Sequence, residues 1–342
     1  MVKRTTIVDV ARQAGTSTAV VSYVLNPGTK PVSDALRGRV LRAIAELDYR
    51  PHRHARALRR RAEWAQVGLL IPDLTLPFYG TLAASIESEA RGRRQLVLTG
   101  NTGFDVAVER ELARSFVDAG VDSLLVAGVS DGQTVAQICR DARTPLIWVH
   151  HNRNTSGPQV ICSDHVRAGE LAARHLAETH GCASIAFVGG FSDEHVQHGD
   201  RDTVRERFEG YRAVVGAEVR HVTTDLTLDA AYRAVRAELR ERGAPDGMVV
   251  GTFFQTAPVL RALADAGLRV PDDVQVVGFD ADARNKYGLI TLTAVQQDVG
   301  EIARRSIALG HETPASGAAP ARVPVRLAPA ESCGCAAQAG AR

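Results

Sequence analysis

Residues 6–26 read TIVDVARQAGTSTAVVSYVLN. Ile7, Val10, Ala11 and Ala14 recur at helical spacing and mark the apolar face of a short helix. Gly15 follows, the residue best suited to a tight or left-handed turn. Thr16-Ser17-Thr18 offers hydroxyls that can cap a second helix. Val20, Val21, Val24 and Leu25 form that helix's apolar face, and Asn26-Pro27-Gly28 ends it. Small Ala11 stands where the two helices would cross, so the spacing is that of a helix-turn-helix. A third helix is expected after Ser33-Asp34, through Val40, Leu41, Ile44 and Leu47, stopping near Tyr49-Arg50-Pro51. In such a unit the second helix enters the major groove and its N-terminal residues reach base edges. Those residues are Thr18, Ala19, Ser22 and Tyr23. Thr18 can hydrogen-bond, Ala19 can offer only its methyl, and Tyr23 stands where an arginine would read guanine.

The chain has 342 residues and a formal net charge of +2. That small number hides a split. Residues 1–61 carry 13 Lys/Arg against 4 Asp/Glu, and the remainder 28 against 35. A basic head on an acidic body expects the head to meet a polyanion. His52 to Arg61 is basic and too short to hold a helix alone. It could serve as a plain linker, or fold when its arginines meet phosphates. Leu58, its one large apolar side chain, suits insertion into the minor groove.

The length implies two or three domains. No apolar run approaches the roughly 20 residues of a transmembrane helix. The first ten residues lack a signal-peptide core, so the expectation is a cytoplasmic protein without membrane contact. The five cysteines are odd in number and their spacing fits no zinc site. Reduced, inert thiols are expected, with no metal and no cofactor.

TIVDVARQAGTSTAVVSYVLN and then AIAELDYRPHRHARAL (residues 43–58) together resemble the DNA-binding domain and hinge helix of the lactose/galactose-repressor (LacI/GalR) family. The resemblance implies that a dimer inserts a pair of Leu58 side chains at the centre of a palindromic operator. The candidate DNA contacts are then Thr6, Thr16, Ser17, Thr18, Ala19, Ser22, Tyr23, Asn26, Arg53, Arg56 and Leu58. The family's usual asparagine is His52 here.

From Gln66 onward the pattern changes. Short apolar strands at Val67–Ile71, Leu96–Thr99, Ser123–Val126 and Leu146–Val149 alternate with helical stretches. A second set appears at Ser184–Val188, Met248–Val250 and Val274–Val277. Such alternation predicts parallel sheets covered by helices on both faces. Two sets predict two subdomains with a ligand cleft at the strands' carboxyl ends. IPDLTLPFYGTL, FVGGF, RERFEGY, GLRVPDDVQVVGFD and AESCG resemble the periplasmic-binding-protein-like effector domain of the same family. The expected organisation is an all-α head over 1–51, a hinge and linker over 52–65, and an α/β effector domain over 66–331. Within that domain the resemblance implies an N-subdomain of 66–163 and 293–322 and a C-subdomain of 164–292 and 323–331. It places the crossings near 163, 292 and 322, and leaves 332–342 as a disordered tail.

The resemblance carries four effector residues onto this chain: Asp73, Phe78, Arg207 and Asp280. A guanidinium offers a rigid fork of donors, and a carboxylate accepts paired hydroxyls. Phe78 can stack on a ring. Three positions depart from the family pattern. Gly251-Thr252-Phe253 stands where Ala-Asn-Asp is common, and His150 where an aspartate is common. Thr252, Phe253 and His150 thus leave fewer bidentate acceptors for a polyol, which favours a more apolar or anionic ligand or a site that has lost sensing.

Catalytic motifs are missing: the sequence has no Walker A run, no strand-anchored Gly-x-Gly-x-x-Gly and no Gly-x-Ser-x-Gly elbow. His150-His151 point to opposite faces of a strand, which disfavours a metal pair. The function expected is an operator-binding homodimeric repressor under control of a small effector, and not an enzyme. A co-repressor-dependent regulator sensing a nucleobase is the alternative. A solute-binding protein is disfavoured by the head.

Overall fold

The computed structural model describes residues 6–25, 32–47, 64–128, 132–150, 160–192, 200–280, 287–310 and 321–335. The expectations for Asn26, Arg53, Arg56 and Leu58, and for the hinge before Trp64, lie outside these residues. The chain divides into two compact units, 1–63 and 64–342.

In the head, α1 (Ile7–Gln13), α2 (Thr18–Leu25) and α3 (Asp34–Glu46) enclose one small core. Thr6 and Asp9 form a reciprocal capping box at the start of α1, which satisfies two otherwise orphaned N–H groups. Gly15 makes the turn in the left-handed region, φ +61°. Val10, Ala11, Ala14, Val21, Val24, Val40 and Ala43 are buried together, with Ile7, Leu25, Ile44 and Leu47 packed around them. Leu41 differs from the expectation: it is 51% exposed. It follows Val40 by one position, so the 100° step of the helix turns it off the core face.

The body repeats one chain path twice. The first half comprises β1 (Ala65–Ile71), α4 (Pro77–Gly92), β2 (Gln95–Asn101), α5 (Val106–Ala119), β3 (Ser123–Ala127), α6 (Gly132–Ala142), β4 (Leu146–Val149) and β5 (Val160–Ser163). The second comprises α7 (His165–Arg174), β6 (Ile185–Val188), α8 (Arg201–Val215), β7 (Arg220–Val222), α9 (Leu228–Arg242), β8 (Gly247–Val250), α10 (Thr256–Asp265), β9 (Gln275–Phe279) and β10 (Thr293–Gln297). The chain then returns to the first half as α11 (Val299–Leu309) and β11 (Ala321–Val323), and ends in the second with β12 (Val325–Ala328).

Strand orders are β2-β1-β3-β4-β5-β11 and β7-β6-β8-β9-β10-β12. All pairings are parallel except β10 with β12. Core strands such as β3 and β4 are buried at every position, as expected of strands covered on both faces. Leu69, Ile71, Leu82, Ile86, Ile147 and Ile161 lie in one core of the first half. Phe187, Val249, Val277 and Phe279 centre one core of the second.

One boundary moves. Residues 293–297 were expected in the N-subdomain, but β10 pairs in parallel with β9 and so belongs to the second sheet. The second crossing therefore follows Gln297. Among the described residues, no helix is long and apolar enough to cross a membrane.

Candidate ligand-binding site

Both sheets reverse their winding between neighbouring strands, β1 against β3 and β6 against β8. Crevices open at the carboxyl ends of strands beside such points. A cavity of about 690 Å³ lies there, lined by side chains from both halves. All seven residues expected to meet an effector line it: Asp73, Phe78, His150, Arg207, Thr252, Phe253 and Asp280.

Each arrives by a local device. Asp73 follows β1, and its Oδ1 accepts hydrogen bonds from the Thr75 backbone N–H at 2.8 Å and hydroxyl at 2.7 Å. The carboxylate thus shapes the turn that leads into α4. Pro77 opens that helix, where its missing N–H costs nothing, and Phe78 comes next. His150 and Asp280 are the first residues after β4 and β9, and both hold positive φ, 66° and 55°. That conformation is costly for residues with a Cβ and is concentrated at functional sites. Thr252 follows β8 and caps a short 3-10 turn, its Oγ1 accepting from the Gln255 N–H at 3.3 Å.

Arg207 sits on α8. This helix crosses α7 so closely that a Cβ on Gly169 would lie 1.9 Å from the Arg207 carbonyl oxygen, and one on Gly210 1.9 Å from that of Val166. The two glycines therefore fix the depth of Arg207. Its Nη2 donates to Asp280 Oδ2 at 3.0 Å and its Nη1 to the Gly251 carbonyl at 2.9 Å. The guanidinium carbon stands 4.1 Å from the centre of the Phe279 ring, a favourable cation–π placement. Gln297 Nε2 also donates to Asp280 Oδ2, at 2.9 Å. Arg207 Nε is buried with no hydrogen-bond partner among the described residues.

Facing this pair, His150 Nε2 lies 2.9 Å from Asp200 Oδ2. Asp200 also caps α8, accepting from Thr203 N at 3.2 Å and Thr203 Oγ1 at 2.6 Å. His150 belongs to the first half and Asp200 to the second, so this contact spans the cleft. Arg322 of β11 adds a more exposed one, 3.5 Å from Glu206 Oε2 on α8. Phe78 packs against the His150 ring at 4.1 Å between centroids, and Tyr79 meets it edge-on at 5.7 Å. Burial first, then the charge of Asp200, pushes the Tyr79 hydroxyl well above its ordinary pKa. It stays protonated, and it has no hydrogen-bond partner among the described residues.

Several cavity residues escaped the sequence reading: Tyr79, Phe104, Asp200, Leu226 and Phe254. Asp200 had a usable signal, an acidic residue three positions before Thr203 at a helix start. Phe254 is 41% exposed while its neighbour Phe253 packs partly into the core. Among the described residues, the group with metal-ligand chemistry is His175, His180, Cys333 and Cys335, and none of these lines the cavity.

In the head, Ser17 and Ala19 are exposed, while Thr16, Thr18 and Tyr23 are half-buried. Ser17 Oγ accepts from the Val20 N–H at 3.4 Å, which makes it a cap of α2. Thr6 is exposed and engaged in its capping box. Ser22 is 8% exposed, so it belongs to the inward side of α2 rather than to the face that Ala19 opens to solvent.

A helix-turn-helix unit joined to a two-half body with a cavity at its strand ends defines a ligand-responsive DNA-binding protein. Residues 6–52 match the model for bacterial regulatory proteins of the lacI family, and residues 173–333 that for a periplasmic binding protein-like domain. The ribose operon repressor of Halalkalibacterium halodurans is 32% identical over 88% of this chain and 88% of its own. Catabolite control protein A of Priestia megaterium is 30% identical over 88% of this chain and 90% of its own. A solved complex of the transcriptional regulator CelR with cellobiose superposes with a TM-score of 0.64 at 26% identity, covering 96% of this chain and 100% of that one. The chain belongs to the lacI family of bacterial regulatory proteins and is a DNA-binding transcriptional regulator.

Proposed function

We propose that a small ligand, held between the two halves of the body, sets how tightly a dimer of this chain grips a palindromic operator. The observation that supports this reading most is the cavity of about 690 Å³, in which the Arg207–Asp280 pair faces the cleft-spanning His150–Asp200 contact. Its volume is in the usual range for small-molecule sites. Residues from both halves line it, so a ligand there stabilises one relative placement of the halves over another, which is what shifting a population requires. The edge strand β2 leaves Leu96 52% exposed and Leu98 36% exposed, apolar surface that suits a second copy of the chain.

One relative's name speaks of ribose, and the matched structure holds cellobiose. In this chain Phe78, Tyr79, Phe104, Phe253 and Phe254 supply much of the wall, and Thr252 presents a hydroxyl. The ligand proposed is a ring-bearing molecule that stacks on Phe78 and turns a hydrogen-bonding edge to Arg207 and Asp280. A thermal-shift screen over sugars, nucleobases and small acids identifies it, because a ligand of the native state raises the melting temperature. Operator binding is then measured with and without the ligand, and the direction of change separates an inducer from a co-repressor. A ligand that raises the melting temperature and leaves operator affinity unchanged refutes the coupling. Residues 64–342 alone should bind the ligand and not the operator, and retained operator binding would move the DNA site out of the head.

A further inference from the structure

Four side chains from two distant stretches of sequence converge at the far end of α7. His175 opens a π-helical turn, His175–Thr179, that continues α7, and His180 caps its end. Cys333 and Cys335 follow β12, separated by Gly334 in the left-handed conformation (φ 84°). In an ordinary α-helix, residues five apart diverge by about 140° around the axis. The π turn closes hydrogen bonds between residues five apart, and so returns His180 to the side of His175. Their Nε2 atoms lie 3.2 Å apart. Cys333 Sγ is 3.2 Å from His175 Nε2. Cys335 Sγ is 3.7 Å from His175 Nε2 and 3.4 Å from His180 Nε2. All four ligand atoms lie within 4.8 Å of one another.

We propose that His175, His180, Cys333 and Cys335 form a four-coordinate structural zinc site. A tetrahedral zinc with ordinary Zn–N and Zn–S bonds separates its ligand atoms by about 3.3–3.8 Å. Of the four separations above, those at 3.4 and 3.7 Å lie in that range and the two at 3.2 Å lie just below it. Two thiolates and two imidazoles select zinc over the hard cations, and a full set of four protein ligands leaves no open position for catalysis. The surroundings complete the site. Thr293 Oγ1 donates to Cys333 Sγ at 2.9 Å, the kind of outer contact that holds a ligating group in place. Cys182, near by, is otherwise engaged: its Sγ donates to Gln275 Oε1 at 3.4 Å.

The site ties the segment after β12 to α7, the helix that packs through Gly169 and Gly210 against α8 and Arg207. It lies outside the ligand cavity, so it stands or falls independently of the proposed effector.

The test uses the full chain, produced with zinc and purified under reducing conditions. Elemental analysis should find about one zinc per chain, and Cys335→Ser or His180→Ala should lose most of it. Both residues are only partly buried, so the variants should keep their far-ultraviolet circular dichroism. Replacing zinc with Co²⁺ should give thiolate-to-cobalt charge-transfer absorption in the parent and not in a Cys333→Ser/Cys335→Ser double variant. Zinc added to the chelated parent should raise its melting temperature. Less than about a tenth of a zinc per chain with no cobalt–thiolate band overturns the proposal, as does zinc retained undiminished in the two single variants. A Cys333–Cys335 disulfide found by mass spectrometry in the reduced, zinc-grown protein overturns it too.

Discussion

His150 and Asp280 occupy equivalent places in the two halves of the body. Each is the first residue after the fourth strand of its half, and each has positive φ. Each donates its backbone N–H to the following strand, His150 to the Ile161 carbonyl at 2.7 Å and Asp280 to that of Val295 at 3.0 Å. The backbone device is the same, but the side chains do different work. Asp280 takes its partners from its own half, Arg207 and Gln297. His150 reaches across the cleft to Asp200. One half therefore carries a pair built wholly from its own residues. The other carries a contact that exists only when the two halves are close. On the function proposed above, the first pair is the ligand's anchor and the second contact a latch between the halves.

Removing the anchor should have the largest effect. Arg207→Ala leaves the partly buried Asp280 without its cation, and effector affinity should fall about 100-fold or more, a loss of roughly 3 kcal/mol or more. Calorimetry with the screened ligand measures it. Arg207→Lys should recover only part, because an ammonium lacks the fork that serves Gly251 and Asp280 together. Unchanged affinity in Arg207→Ala would remove the distinction between anchor and latch.

Gly210→Ala tests the same half through its framework. The new Cβ meets the Val166 carbonyl, and overpacking of this kind costs about 1–3 kcal/mol. Urea denaturation should show that loss, together with weaker ligand binding from the displaced Arg207. A variant of parental stability would mean that α7 and α8 separate freely.

The latch should matter less for affinity and more for coupling. His150→Ala removes one largely buried contact, worth about 1 kcal/mol, so ligand affinity should drop roughly five- to tenfold. Small-angle scattering should show a more open body without ligand, and an unchanged scattering profile would count against a spanning role. The smallest effect is expected for Thr252→Asn. Asparagine caps a helical turn as well as threonine does, so the fold should hold while an amide replaces a hydroxyl. Polyhydroxylated ligands should gain a few-fold in affinity, about 0.5–1 kcal/mol, in competition calorimetry.

Much of this was legible in the sequence because the signals are local. Gly15 between two apolar faces specifies a turn between helices. Continuous runs such as Val67–Ile71 and Leu146–Val149 specify strands buried on both faces. Strands at Arg220–Val222 and Ala321–Val323 gave no such signal. In the first, Arg220 is buried by pairing with Glu238 Oε1 at 2.6 Å and with the Gly243 carbonyl. No propensity rule foresees a charge hidden by partners that far along the chain. Leu41 and Leu96 misled in the opposite direction, since an apolar side chain announces burial whether or not its face is covered.

The sequence by itself determined the head, the alternation of strands and helices, and the identity of the residues at the strand ends, because each depends on neighbours within a few positions. Tertiary structure alone decided which of those residues meet. Asp200 came to His150, and Gln297 to Asp280, only when two separate sheets placed their carboxyl ends together. The cysteines at 333 and 335 have no metal-like spacing of their own. Their histidine partners lie some 155 residues earlier, at the two ends of a π turn and its cap, and spacing along a chain carries no record of a distance closed by folding.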